Sequence, residues 1–144
     1  MPTFIVAGGA GFIGSHLCER LLARGDKVIC IDNLLTGSEE NISPFFGNKN
    51  FVFINHDVTR DLPRIDGEIN GVFHLASPAS PNAKSPRSYI AHPLDTLLVN
   101  SLGTKKLLDL AHEKKSVFVY ASSSEIYGDP KVSPQNEDYF GNVN

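Results

Sequence analysis

Three glycines, Gly8, Gly11 and Gly14, stand between two apolar runs of different period near the start of the chain. Before them, Thr3–Ala7 (TFIVA) is β-branched and apolar, the composition of a buried strand. After them the period becomes helical from Phe12 to Arg24. Ile13, Leu17 and Leu21 share one face, with Gly14, Cys18 and Leu22 beside it. His16, Glu19, Arg20 and Arg24 fall mostly on the other side, and Gly25 supplies a helix stop. A bare glycine triplet is equally a tight strand-to-helix turn. What specifies it further is its setting, because strand, loop, helix and a second strand follow one another within about thirty residues. In that setting each glycine has work to do. One makes the turn, one lets backbone approach a pyrophosphate at the helix N-terminus, and one lets the helix cross the strand closely.

The remaining apolar runs extend the pattern. Lys27–Ile31 (KVICI), Phe51–Ile54 (FVFI), Gly71–Leu75 (GVFHL) and Val117–Ala121 (VFVYA) read as strands two to five. They are nearly continuous in apolar character, as for strands covered on both faces. Between the last two, Pro93–Lys114 places Leu97, Asn100, Leu107, Leu108 and Ala111 at helical spacing. This succession predicts an α/β chain with a Rossmann-type doubly wound parallel sheet of five strands, order 3-2-1-4-5, forming one NAD-binding domain over residues 1–144. Asp32 closes the second strand, where a carboxylate accepts from the adenosine ribose. No Lys or Arg follows in Asn33-Leu34 to pair a 2′-phosphate, so NAD is expected rather than NADP. Ala76–Ser88 (ASPASPNAKSPRS) has linker composition, but it follows the fourth strand, on the side where open α/β sheets bind ligands.

Other classes are disfavoured. A formal net charge of −3 offers no basic surplus for nucleic acid. No apolar run has membrane length and no secretory leader opens the chain, so a soluble, cytoplasmic protein is expected. Cys18 and Cys30 form no CxxC pair, and the five histidines show no metal-ligand spacing, so no metal site is expected. His74, inside an apolar strand, is expected to be a hydrogen-bonded core residue, and both cysteines small buried hydrophobes.

Several segments occur in order: VAGGAGFIGSHL, DNLLTG (Asp32–Gly37), HDV (His56–Val58), HLASPASP (His74–Pro81), NSLGT (Asn100–Thr104), ASSSEIYGDP (Ala121–Pro130) and EDYFGNVN. In these the chain resembles the N-terminal part of the extended short-chain dehydrogenase/reductases (the NAD-dependent epimerase/dehydratase family), and within them the UDP-glucuronate decarboxylases. The resemblance implies NAD contacts at Gly8, Gly11, Phe12, Ile13 and Gly14 around the pyrophosphate. It implies others at Asp32, Asn33, Leu35, Thr36 and Gly37 toward the ribose and adenine, with Asp57 and Val58 beside the adenine. Leu75, Ala76 and Ser77 would line the path to the nicotinamide, Ala121 would lie under it, and Pro78 and Ala79 would border a nucleotide-sugar substrate. Ser123 matches the Ser/Thr of the catalytic triad and Glu125 the decarboxylase glutamate. A hydroxyl can serve the sugar oxygen as it passes between alcohol and ketone, and a carboxylate can handle protons or water. Ser124 replaces the acid of the 4,6-dehydratases, and the 4-epimerases usually lack the glutamate. Leu98 stands where a lysine is usual in the decarboxylases.

The resemblance also implies a Tyr-x-x-x-Lys pair, whose spacing puts both groups on one helix face. Tyr127 and Lys131 match literally, but Gly128-Asp129-Pro130 between them is turn sequence and excludes a helix. The functional pair is therefore expected beyond Asn144, with the sixth strand, the catalytic helix and the substrate domain. The 144 residues alone are expected to bind NAD without turnover. The longer enzyme is expected to be a homodimer, and the helical stretch Pro93–Lys114 to carry an apolar face left bare here. A 4-epimerase and a stand-alone NAD-binding module are the alternatives.

Overall fold

The computed structural model describes residues 1–143. Five parallel strands, β1 (Thr3–Ala7), β2 (Lys27–Asp32), β3 (Phe51–Asn55), β4 (Gly71–His74) and β5 (Val117–Tyr120), form one sheet in the order β3-β2-β1-β4-β5. This is the expected Rossmann-type arrangement. Helix α1 (Phe12–Ala23) joins β1 to β2. The second crossover runs through α2 (Pro93–Leu98), a π-helical turn at Val99–Gly103 and α3 (Thr104–Lys114).

Alternation along the central strands builds two cores. Ile5, Ala7, Ile29, Ile31 and Val72 point to one face and bury against Leu107 and Ala111 of α3. Val6, Val28 and Cys30 point to the other and bury against Cys18 and Leu21 of α1. Cys18 and Cys30 are fully buried there, and a hydrogen bond from Cys18, together with burial, pushes the Cys30 thiol up out of its usual range. Such thiols behave as packing groups. No described helix is long and apolar enough to cross a membrane.

Three expectations change. Ile13 is 68% exposed and does not belong to the buried face of α1, which consists of Gly14, Ser15, Cys18 and Leu21. The rotation of the helix is set by Gly14 resting on the Gly8–Gly9 backbone, and that contact overrides the apolar period. β5 is not covered on both faces, since Val117, Val119 and Tyr120 are exposed on this edge strand. Along the second crossover Leu94, Leu97 and Leu108 are exposed as well. Finally, the segment with linker composition is folded. Ser88 is fully buried, Tyr89 N–H donates to Ser80 C=O, and His92 Nε2 lies 2.8 Å from Pro86 C=O.

His74 shows the electrostatic consequence of burial. Its Nε2 lies 3.0 Å from Thr104 Oγ1, whose own proton is donated to Asn100 C=O, so Nε2 carries the ring proton. Nδ1 is buried with no partner, and a proton placed there would face no acceptor. Burial holds the imidazole below its ordinary value of about 6.5, against a smaller opposing contribution from the Val99 backbone. The unfolded chain therefore takes up this proton first. Stability from neutral His74 is present above the unfolded value and is lost as pH falls through the depressed folded one. Urea midpoints should fall between pH 7.5 and 5, with His74 contributing at most about 1.4 kcal/mol per pH unit. His74→Gln should flatten that slope, and an unchanged slope would remove His74 as its source.

Candidate nucleotide-binding site

The C-terminal ends of β1 to β4 open onto a cavity of about 310 Å³. Its floor is the glycine loop. Gly8 adopts φ +81°, and its N–H donates to Ile31 C=O at 2.8 Å. A Cβ at Gly8 would lie 2.6 Å from Ala76 N and Leu75 C. A Cβ at Gly14 would overlap the Gly8 carbonyl oxygen and lie 2.7 Å from Gly9 Cα. Loop, helix and the segment after β4 thus meet backbone to backbone, leaving N–H groups of the helix start accessible to an anion.

Asp32 stands beside this loop at the end of β2, only 8% exposed. Its Oδ2 accepts from Ala10 N–H at 3.0 Å and its Oδ1 from Leu34 N–H at 2.8 Å. The second bond holds Leu34 at φ +60°. Gly37 closes in from the following loop, where a Cβ would lie 3.1 Å from Asp32 Oδ1. Burial raises the carboxyl's pKa, and the Leu34 and Ala10 amides oppose that rise. Each oxygen keeps a further lone pair, so the fixed carboxylate can accept from a diol.

Beyond β3, His56 N–H donates to Asp32 C=O at 3.0 Å and ties the next turn to the same corner. Asp57 Oδ1 accepts from Thr59 N–H at 2.9 Å and from Thr59 Oγ1 at 2.8 Å. Val58 is buried against the π turn, with Gly103 so close that a Cβ there would lie 3.2 Å from Val58 Cγ2. Beyond β4, Leu75 N–H donates to Ala7 C=O, and Asn100 of the π turn donates from Nδ2 to Ser77 Oγ at 2.8 Å. Asn100 Oδ1 in turn accepts from Tyr120 OH at 2.9 Å. The irregular turn thereby joins three elements around the cavity.

Gly8, Gly11, Asp32, Asn33, Leu35, Thr36, Gly37, Asp57, Val58, Leu75, Ala76, Ser77 and Pro78 all line the cavity. Phe12 and Ile13 sit exposed at the start of α1, outside the lining, and Gly14 lies beneath the loop. Ala79 and Ala121 are exposed and are not lining residues. Ser123 and Glu125 lie apart from the lining as well. Ser123 Oγ accepts from Glu125 N–H at 3.2 Å and caps a short 3-10 turn, Ser124–Tyr127, and both residues are exposed. Gly128 follows at φ +61° and no helix joins Tyr127 to Lys131. Among the described residues no group of three His, Cys, Asp or Glu could hold a metal ion.

The cavity also includes His56, Thr59, Arg60, Asp95, Leu98 and Val99, to which the sequence reading assigns no cofactor or substrate contact. The first three continue the HDV segment straight off β3, a signal available in the sequence. The last three come from α2 and the π turn, whose orientation no local pattern reveals.

A parallel sheet in the order 3-2-1-4-5, with a cavity over a glycine loop and a fixed acid at the end of β2, defines a Rossmann-type nucleotide-binding fold. Residues 4–143 match the model of the NAD dependent epimerase/dehydratase family. The chain belongs to that family. It is 45% identical over 140 residues to UDP-glucuronic acid decarboxylase 1 of Danio rerio, covering 97% of this chain and 32% of that protein. It is 46% identical over 140 residues to UDP-glucuronic acid decarboxylase 4 of Arabidopsis thaliana, covering 97% of this chain and 30% of that one. The chain thus spans about a third of the length of these curated relatives. Among solved structures, the UDP-glucose 4-epimerase of Thermus thermophilus in complex with NAD superposes with a TM-score of 0.74 at 31% identity, covering 98% of this chain and 44% of that one.

Proposed function

We propose that the chain is the NAD-binding part of a nucleotide-sugar-modifying enzyme, and that the enzyme's reaction is decarboxylation of UDP-glucuronate. The observation that carries the nucleotide reading is the cradle itself. A side chain at Gly8 or Gly14 would collide with the backbone that forms its floor, and Asp32 is locked beside it with acceptor capacity left over. These residues fit the pyrophosphate and a ribose of NAD. When bound, NAD would take a hydride from C4 of the sugar and later return it. The chain's own residues would bind and orient: the glycine loop holds the diphosphate, Asp32 takes the ribose hydroxyls, and Leu75–Ser77 guides the far end toward β5. Ser123 would hydrogen-bond the C4 oxygen and Glu125 would handle protons around the carbon that loses CO₂. A C4 ketone makes the sugar a β-keto acid, which is why oxidation has to precede carbon loss.

Decarboxylation is favoured over epimerisation by the Ser123-Ser124-Glu125 sequence and by the identity to the decarboxylases of zebrafish and Arabidopsis. The 4-epimerase reading draws on the structural neighbours. One assay separates them. The protein carrying this chain, at its full natural length, is given NAD and UDP-glucuronate labelled in the carboxyl carbon. Release of labelled CO₂, abolished by Glu125→Gln with NAD affinity retained, is the expected result. Interconversion of 4-epimers with no CO₂ release would replace the decarboxylase reading. The 144 residues on their own are expected to bind NAD and to release no CO₂.

A further inference from the structure

The strand order fixes where each part of a dinucleotide must lie, and this leads to a residue with no role so far. With the diphosphate over the loop after β1 and the ribose on Asp32 after β2, the adenine extends toward β3, the next strand out. The chain leaving β3 there is a rigid turn. Asp57 Oδ1 is engaged twice by Thr59, Arg60 N–H donates to Asp57 C=O at 3.0 Å, and Val58 is wedged against the π turn. Leu98 and Val99 add apolar wall to the same cavity. Arg60 lines it too, and is the only Lys or Arg among the described residues to do so. It makes no ion pair among the described residues. Asp61 beside it is engaged by Lys106 at 2.7 Å. An exposed guanidinium without an ion-pair partner among the described residues therefore borders a slot to which Val58, Leu98 and Val99 contribute aliphatic surface.

Resting on the dinucleotide reading above, we propose that Arg60 caps the adenine: its planar guanidinium closes over the face of the base and sets the affinity for adenine nucleotides. Guanidinium suits this position. It is more weakly hydrated than ammonium, presents a flat face, and is attracted to the π-cloud of an aromatic ring.

The test is a ligand-observed NMR titration of the chain and its R60Q and R60K variants with NAD⁺, adenosine and nicotinamide mononucleotide, alongside thermal melts. Adenosine has no phosphate, so it isolates contact with the base from pairing with the diphosphate. R60Q should weaken adenosine and NAD⁺ by the same factor, about 3- to 30-fold, and leave nicotinamide mononucleotide and the melting temperature unchanged. R60K should recover only part of the loss, since it restores charge without the flat fork. If R60Q weakens NAD⁺ but not adenosine, Arg60 acts on phosphate and the proposal is overturned. Equal affinities for all ligands in R60Q and wild type overturn it as well. If the unsubstituted chain binds neither NAD⁺ nor adenosine, the dinucleotide reading itself fails.

Discussion

Replacing Gly8 by alanine is expected to lower the unfolding free energy by about 3 kcal/mol or more and to abolish dinucleotide binding by whatever chain still folds. Two penalties combine at this one position. At φ +81° an L-residue is strained, at a cost of about 1–2 kcal/mol. The added carbon would also lie 2.6 Å from backbone atoms of Leu75 and Ala76, which cannot rotate away as a side-chain end could. Relief requires β1 and the segment after β4 to separate, and that opens the floor of the cavity. Gly47→Ala provides the comparison. Gly47 has a similar φ of +88° with nothing within 4 Å of a Cβ, so only the conformational cost of about 1–2 kcal/mol applies. Denaturant unfolding of both variants checks the difference, and NAD titration of Gly8→Ala checks the cavity. Equal stabilities for the two would mean that the close approach at Gly8 contributes nothing. Strain alone would then account for its effect.

The same contrast shows why some of the fold is legible in the sequence and some is not. The strands are readable because the central ones, buried on both faces, need apolar residues at nearly every position, as in Val28–Ile31. Their order follows because crossovers are right-handed and the two βα connections are recognisable. The glycine loop is readable because one steric requirement, absence of Cβ, selects one residue type. Asp32 is readable because its place is measured from that loop. Rotation and irregularity are not readable in this way. Ile13 fits the apolar stripe of α1, yet the contact between Gly14 and the loop rolls it into solvent. The π turn at Val99–Gly103 lies within a stretch whose spacing suits an unbroken helix. What produces it is tertiary: Gly103 close against Val58, and Asn100 reaching Ser77 and Tyr120. The turn after β5 is a third kind of case. Ser123 and Glu125 stand out by resemblance alone, and the described structure sets them on an exposed 3-10 turn away from the cavity lining.

Asp32→Ala should weaken NAD binding about 10- to 100-fold, the loss of one or two hydrogen bonds to a charged acceptor. The pH dependence of that loss identifies the acceptor as a carboxylate. Burial holds the folded pKa of Asp32 above its ordinary value near 3.9. Folding therefore favours the protonated form. The contribution of that form to stability is fully present below the unfolded value and is lost as pH rises through the folded one. At neutral pH the ion is held in the fold at a cost, offset by the amides of Ala10 and Leu34, which donate to it and are left without an acceptor when the side chain is removed. Asp32→Ala consequently trades a buried charge for two orphaned amides, so its stability should change less than its affinity. Binding follows the opposite sense, because the ribose hydroxyls need the ionised acceptor. Wild-type affinity should decline on acidification from pH 8 toward the raised pKa, while Asp32→Asn, which cannot ionise, should bind weakly with a flat profile. Titrations at several pH values decide it. Parallel profiles in wild type and Asp32→Asn would show that the ribose does not rest on this carboxylate, and would move the candidate acceptor to Asp57, the next carboxylate along the cavity.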